Sequence, residues 1–120
     1  MNKLQQLMDD IRAWSDKQFG DGQRNPAIAY HLLKEVPELI EAIEKYQKNC
    51  AGGNYDRVAS EYADCFMLLL DSASHFSPSA EMLIEYTRKK LEINRQRKWG
   101  KPDGNGVVEH IRNRMKENNK

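Results

Sequence analysis

Apolar residues recur at intervals of three and four along this chain of 120 residues. The first segment shows the pattern most clearly, in Leu4, Leu7, Met8, Ile11 and Trp14. An α-helix repeats about every 3.6 residues, so this spacing places the apolar side chains on one helical face. No segment alternates apolar and polar residues with the period of two that is typical of a β-strand. The sequence therefore predicts an all-α protein.

Glycine and proline divide the chain into four main predicted helices. We expect these helices at about residues 2–19, 26–48, 55–76 and 79–99. Glycines end the first two helices because glycine adopts left-handed conformations readily, and Asn25 before Pro26 is a start signal for the second. Residues 100–106 form a predicted loop, and Val107–Glu117 a short C-terminal helix. The predicted fold is a single helical domain over residues 1–120, a bundle of four main helices plus the terminal one.

Composition argues against several classes of protein. The longest apolar run, Cys65–Leu70, is far shorter than the roughly 20 residues that a membrane span needs. The N-terminal residues have no hydrophobic signal core, so we expect the protein in the cytoplasm. Lys and Arg number 19 against 18 Asp and Glu, and this near-neutral balance gives no support to a nucleic-acid partner.

Charge is nevertheless distributed unevenly along the chain. Residues 28–86 contain ten acids and four bases, whereas residues 87–120 contain eleven bases and four acids. An acidic centre followed by a basic end suits a site that binds cations and phosphates together. Two solvated helix faces of opposite sign are an alternative, and a small nucleic-acid binder is another that depends on the basic end alone.

Two carboxylate pairs, Glu35/Glu38 and Glu61/Asp64, have the spacing of three that places each pair on one helical face. Glu35 and Glu38 border the apolar stripe of the second helix. Glu61 and Asp64 lie opposite the predicted core stripe of the third, which comprises Tyr55, Val58, Ala59, Tyr62, Phe66, Leu69 and Ala73. Yet the stretch 62–70 is apolar on nearly all sides, which indicates burial.

Buried carboxylates need compensating cations because an unpaired buried charge is costly. Lysine and arginine side chains could supply that charge, and so could metal ions. Oxygen ligands without thiolate or imidazole select Mg²⁺ or Mn²⁺ over zinc or copper. A di-iron bundle would need Glu-x-x-His motifs, which the sequence lacks. Ordinary surface acids remain the alternative to a metal site.

The fourth predicted helix carries a cluster suited to phosphate. Lys90, Asn94 and Arg97 follow one another at spacings of four and three, so they share a face. Lysine provides a point charge, and arginine provides a planar fork that fits phosphate oxygens. For Trp14 the pattern favours core packing over base stacking, and for His31 it favours a packed, hydrogen-bonded role over catalysis.

The motif Glu35-x-x-Glu38, a spacer of 22 residues and Glu61-x-x-Asp64 resemble the hallmark of the MazG-like all-α nucleoside triphosphate pyrophosphohydrolases. The later motif Lys90-x-x-x-Asn94-x-x-Arg97-x-Trp99 resembles the downstream phosphate-binding element of that superfamily. Three further pieces, Phe19-Gly20, Arg24-Asn25-Pro26 and His31-Leu32, are similar to the dATP/dGTP pyrophosphohydrolase N-terminal type of phage and bacteria. Pro37 departs from the pattern, because proline inside the first motif could kink the helix or begin a new one.

The resemblance implies a helical bundle that assembles as a dimer or tetramer. It also implies Mg²⁺-dependent hydrolysis, with Mn²⁺ as a substitute, of a (deoxy)nucleoside triphosphate such as dATP or dGTP to the monophosphate and pyrophosphate. The implied metal ligands are Glu35, Glu38, Glu61 and Asp64. Glu38 and Glu61 are the expected catalytic residues, with Glu38 accepting the proton of the attacking water. The expected substrate-binding residues are Lys90, Asn94, Arg97, Lys34, Arg24, Asp71 and Trp99.

The role of Asp71 stays open, since it could orient the base or ribose, support the metal ligands from outside, or be a surface acid at a helix end. A competing function for the whole chain is a non-catalytic helical module that binds or regulates a partner protein. In that case the acids would form ion pairs with Lys90, Arg97 and their neighbours instead of binding metal.

Overall fold

The structure is a computed structural model, and it describes residues 2–112. It contains the helices α1 (Lys3–Phe19), α2 (Ala27–Lys48), α3 (Asn54–Ser74) and α4 (Ala80–Gln96). Within the described range there is no β-strand, and an isolated bridge pairs Trp99 with His110. The prediction of an all-α fold with four main helices is confirmed.

The helix ends follow local chemistry that is visible in the sequence. The Asn2 side chain accepts a hydrogen bond from the backbone N–H of Leu4 at 2.9 Å and so caps α1. Gly20 ends α1 with a φ of 95°, a left-handed conformation that favours glycine. At the start of α4, Ser79 Oγ accepts from the N–H of Met82 at 3.2 Å. Helix α2 begins just after Pro26, but Asn25 does not cap it as its place before the proline predicts, because α2 has no side-chain cap.

The chain divides into two compact units, Met1–Leu83 and Ile84–Lys120, so the boundary lies within α4. The first unit contains α1, α2, α3 and the beginning of α4. Its buried core consists of Met8, Ile11, Leu70 and Ala80. The expectation of a single domain over the whole chain stays a prediction.

The buried face of α3 differs from the predicted core stripe. Tyr55, Tyr62, Phe66 and Leu69 are between 44% and 65% exposed. The face that is buried or half-buried instead contains Glu61, Cys65, Leu68 and Asp71. The assignment of these four residues to the core is therefore wrong for this chain alone, whereas Ala73 of the same stripe does pack against the core. The apolar pattern marks a face that α1 and α2 leave uncovered.

The C-terminal segment of the second unit folds back on itself. Gly100 N–H donates to the carbonyl of Glu109 at 2.8 Å, and the Asp103 side chain accepts from the N–H of Val107 at 2.9 Å. These bonds hold residues 107–112 in a non-helical conformation, so the predicted helix Val107–Glu117 is wrong over that part. Residues 113–117 lie outside the described residues.

The length and hydropathy of the helices bear on membrane insertion. Within residues 2–112, none of the helices is both long and apolar enough to cross a bilayer. The cytoplasmic location expected from the sequence stays a prediction.

Candidate active site

Helices α2 and α3 bring three of the four predicted metal ligands together. One carboxylate oxygen from each of Glu35, Glu38 and Glu61 lies within 4.8 Å of the other two. Glu35 and Glu61 are half-buried, whereas Glu38 is exposed. The spacing of three along α2 brings Glu35 and Glu38 together, and the packing of α3 on α2 brings Glu61 to them.

The crowding of these groups changes the acidity of Glu35. A hydrogen bond with Glu38 is the largest cause that raises the pKa of Glu35, followed by desolvation and by the negative charge of Glu38. His31 acts in the opposite direction, because its Nε2 lies 3.2 Å from Glu35 Oε1. The two carboxyl groups of the first motif are therefore close enough for a hydrogen bond that favours the protonated form of Glu35.

Glu61 carries the clearest sign of a missing partner. Its Oε2 atom is buried and has no hydrogen-bond partner among the described residues. A buried carboxylate oxygen without a partner is energetically costly, so it requires a donor or a cation. Within residues 2–83, no lysine or arginine forms an ion pair with the four predicted ligands. The chemistry of this cluster thus fits a hard divalent cation.

Asp64 lies one turn beyond Glu61 and outside the close group of three. It is exposed, and it lines the same cavity as Glu35. Burial raises the pKa of the nearby Cys65 thiol, and the charges of Glu35, Glu61, Asp64 and Glu38 raise it further. All four carboxylates therefore lie close enough to the Cys65 thiol to affect its pKa.

Pro37 does not interrupt the first motif. Helix α2 runs continuously from Ala27 to Lys48, with the proline inside it. Proline cannot donate a backbone hydrogen bond to the preceding turn, yet Glu35 and Glu38 still meet on one side of the helix. The expectation that a new helix could begin here is wrong.

A recess extends from the carboxylates toward the α1–α2 connection. It comprises a cavity of about 220 Å³, which Glu35 and Asp64 line, and a neighbouring cavity of about 480 Å³, which Arg24 and Asn25 line. Both cavities are also lined by Phe19, His31, Leu68 and Asp71. Because the two cavities share these lining residues, they adjoin each other and together are called the recess, with Glu35 and Asp64 in the wall of the smaller cavity.

Aromatic side chains line the recess beside α1. The rings of Trp14 and Phe19 meet edge to face with centroids 5.7 Å apart, and they are 50% and 64% exposed. Core packing of Trp14 is therefore wrong. Phe19 was not among the predicted site residues. It lies at the end of α1 just before Gly20, and helical spacing alone does not distinguish a core residue from one that lines a cavity. His31 is hydrogen-bonded to Glu35 as expected, but its side chain is 58% exposed instead of packed.

A buried polar network forms the floor of the recess. Asp71 is only 6% exposed, so the surface-acid interpretation is wrong. Ser15 Oγ donates to Asp71 Oδ2 at 2.6 Å, and Arg24 Nη2 lies 3.5 Å from Asp71 Oδ1. Sequence reasoning missed Ser15, although a serine one turn beyond Ile11 on the inner face of α1 was a usable signal.

The other predicted substrate-binding residues have separate surroundings. Lys34 is exposed on α2. In the second unit, Lys90 is exposed, and Arg97 Nη1 donates to Asn94 Oδ1 at 3.0 Å. The indole N–H of Trp99 donates to the backbone carbonyl of Asn94 at 3.0 Å. Asn94 thus orients both of the larger side chains.

The model of the dATP/dGTP pyrophosphohydrolase family matches residues 7–118. The chain belongs to this family. As a member of it, the chain is a nucleotide pyrophosphohydrolase, which confirms the prediction of an enzyme and sets aside the non-catalytic module. A curated dATP/dGTP diphosphohydrolase of Cyanophage S-2L is 32% identical over 106 residues, covering 88% of this chain and 86% of the relative. No solved structure matches this chain.

Proposed function

We propose that this chain is a Mg²⁺-dependent hydrolase of deoxynucleoside triphosphates that cleaves dATP or dGTP to the monophosphate and pyrophosphate. The observation that carries the proposal is the convergence of Glu35, Glu38 and Glu61, of which Glu35 also lines a recess with aromatic walls. The family and the name of the phage relative support the choice of substrate.

Glu35, Glu38, Glu61 and Asp64 would hold the divalent ions, with Mn²⁺ able to replace Mg²⁺. When bound, such ions supply positive charge to the triphosphate oxygens and lower the pKa of water. Their fit follows from the unpartnered oxygen of Glu61 and from the close group of three carboxylates. Hard oxygen donors of this kind are the preferred ligands of both ions.

Glu38 is the proposed general base. It is the exposed member of the close group, so its carboxylate is accessible to a water molecule from the solvent. The water oxygen forms a bond to phosphorus, the α–β phosphoanhydride bond breaks, and the carboxylate of Glu38 takes the proton. Glu61, whose Oε2 is buried, is proposed to act in catalysis by holding a divalent ion from the buried side of the carboxylate group.

The other substrate-binding residues predicted from the sequence stay proposals, separately for each unit. Lys90, Asn94 and Arg97 are proposed to bind phosphate oxygens, with Lys34 and Trp99 as further substrate contacts. Arg97 is held by Asn94, which reduces the freedom that its guanidinium loses on binding. The nucleoside is proposed to enter the recess, where Trp14 and Phe19 offer aromatic surface to a base. Arg24 and Asp71 belong to that nucleoside end.

The uncovered apolar surfaces support a homo-oligomer, a dimer or tetramer. On α3, the exposed side chains of Tyr62, Phe66 and Leu69 follow one face of the helix. On α2, Leu33 and Ile40 are at least half exposed. Apolar stripes of this extent are typical of surfaces that another protein covers, and a second copy is the partner that the family resemblance implies.

The proposal is tested by incubating the protein with each deoxynucleoside and ribonucleoside triphosphate and Mg²⁺, then separating the products. We expect monophosphate and pyrophosphate, with the highest rates for dATP or dGTP. Formation of diphosphate and orthophosphate would refute the assigned bond. Glu61→Gln should remove the activity, and its failure to do so would refute the role of the carboxylate cluster.

A further inference from the structure

Several hydrogen bonds tie the α1–α2 connection, residues 20–26, to the C-terminal turn of α3. Asn25 Nδ2 donates to the carbonyl of Ser72 at 2.9 Å, and Ser72 Oγ donates back to Asn25 Oδ1 at 2.8 Å. Gln23 Nε2 donates to the carbonyl of His75 at 3.4 Å. The connection is a wall of the recess, so these bonds fix one side of the cavity.

The guanidinium of Arg24 is at the centre of this attachment. Its Nη1 donates to Asp16 Oδ1 at 3.2 Å and to the carbonyl of Gly20. Its Nη2 donates to Ser15 Oγ and lies 3.5 Å from Asp71 Oδ1. The side chain is 15% exposed, and both terminal nitrogens already have acceptors within the protein. Arg24 is therefore engaged in holding the chain around it.

Phe19 connects this network with the cavity. Its ring lies 5.9 Å from the guanidinium carbon of Arg24 on one side and 5.7 Å from the Trp14 ring. The ring is largely exposed, so the core does not fix its position. The orientation of this aromatic wall thus depends on where Arg24 is held.

We propose that Arg24 and Asp71 are positioning residues that fix Phe19 and the 20–26 connection as the wall of the nucleoside cavity, and so set the affinity for the nucleoside. This inference rests on the proposed function. It assigns Arg24 a role through Phe19 and the backbone instead of a direct contact with phosphate. Asp71 helps to hold Arg24 in place, because its buried carboxylate accepts a hydrogen bond from Ser15 and lies 3.5 Å from the Arg24 guanidinium.

A second attachment in the same unit offers a matched control. Gln5 Nε2 donates to the carbonyl of Pro78 at 2.6 Å, and Gln5 Oε1 accepts from the N–H of Ala80 at 2.7 Å. Gln5 joins α1 to the start of α4, as Arg24 and Asp71 join the 20–26 connection to α3, but it lines neither cavity. A purely structural effect should be similar for both attachments.

The experiment compares Arg24→Lys, Asp71→Asn and Gln5→Ala in steady-state hydrolysis of dATP and dGTP with Mg²⁺, and records each melting temperature. Lysine keeps the positive charge of Arg24, but its single ammonium group cannot reach the acceptors that the two terminal nitrogens of arginine contact on different sides. We expect Arg24→Lys and Asp71→Asn to raise KM about tenfold, the effect of weakening one charge-assisted hydrogen bond, while kcat changes little. Gln5→Ala should lower the melting temperature without changing KM.

Calorimetric titration with the products dAMP and dGMP separates this inference from the proposed function. Weaker product binding by both variants at the recess, with normal binding by Gln5→Ala, supports the inference even if the wild-type protein cleaves no nucleoside triphosphate. In that case the proposed function fails alone. Unchanged KM and product affinity in Arg24→Lys, which should fold even if Asp71→Asn does not, would overturn the inference.

Discussion

Glu35 on α2 and Glu61 on α3 are separated along the chain, yet one carboxylate oxygen of each lies within 4.8 Å of the other. Glu61 also has a buried oxygen without a hydrogen-bond partner among residues 2–112. Because like charges at this distance repel and an unpartnered buried oxygen is costly, we expect this arrangement to destabilise the protein when no cation is bound.

Neutralising Glu61 should stabilise the metal-free protein while removing its activity. The amide of Glu61→Gln avoids the repulsion and can donate a hydrogen bond, so we expect the free energy of unfolding to rise by about 1 kcal/mol. Urea unfolding in the presence of a chelator measures the change. Glu41→Gln is the control, because Glu41 is 72% exposed and lies 3.7 Å from Arg57. A loss of stability in Glu61→Gln would show that the carboxylate has a structural partner.

His75 should make the protein less stable in mild acid. Burial lowers the pKa of His75 below 6.5, and the positive charges of Arg12 and Arg24 lower it further, against the opposing effect of Asp71 and Asp16. The unfolded chain therefore binds a proton more readily than the folded one. The stability is complete above the unfolded pKa and is lost as pH falls from about 6.5 toward the folded value.

Urea unfolding at pH 7.5 and at pH 5.5 tests this dependence in the wild type and in His75→Gln. We expect a larger loss of unfolding free energy on acidification in the wild type than in the variant. The Nε2 of His75 lies 3.6 Å from Asp71 Oδ1, so protonation could instead strengthen an ion pair. If acidification lowers the unfolding free energy of the wild type no more than that of the variant, the ion pair with Asp71 outweighs the effect of burial on the pKa of His75.

The apolar face of α3 should hold copies of the chain together. A charge placed in this face would be buried in the interface, so Phe66→Glu is expected to convert a dimer or tetramer into monomers. Sedimentation velocity measures the change, and circular dichroism checks that the helices remain. Ser60→Glu is the control, since residue 60 is exposed and lies outside the face that contains Tyr62, Phe66 and Leu69. A monomeric wild-type protein would contradict the assignment.

Local signals in the sequence predicted the helices and much of the acidic cluster. Gly20 ends α1, and Ser79 accepts a hydrogen bond at the start of α4. Both effects involve only neighbouring residues. The spacing of Glu35 and Glu38 likewise requires only a helix, and the family motif indicated that Glu61 belongs with them.

The buried side of α3 and the floor of the recess could not be derived in the same way. Helical periodicity groups Tyr62 and Phe66 on one face, but it does not say whether that face meets the same chain or another protein. The environment of Asp71 depends on Ser15 and Arg24, which are distant in sequence and come together only through the packing of α1 on α3. Local spacing contains no information about such a network.

The most direct test of the account is a titration with Mn²⁺ followed by electron paramagnetic resonance, comparing two double variants of α2. Glu35→Gln with Glu38→Gln removes the proposed ligands, whereas Glu41→Gln with Glu44→Gln removes an equally spaced pair of exposed acids. We predict that the wild type and the second variant remove the signal of free Mn²⁺, and that the first variant does not. Equal binding of Mn²⁺ by both double variants would contradict the assignment of Glu35 and Glu38 as metal ligands.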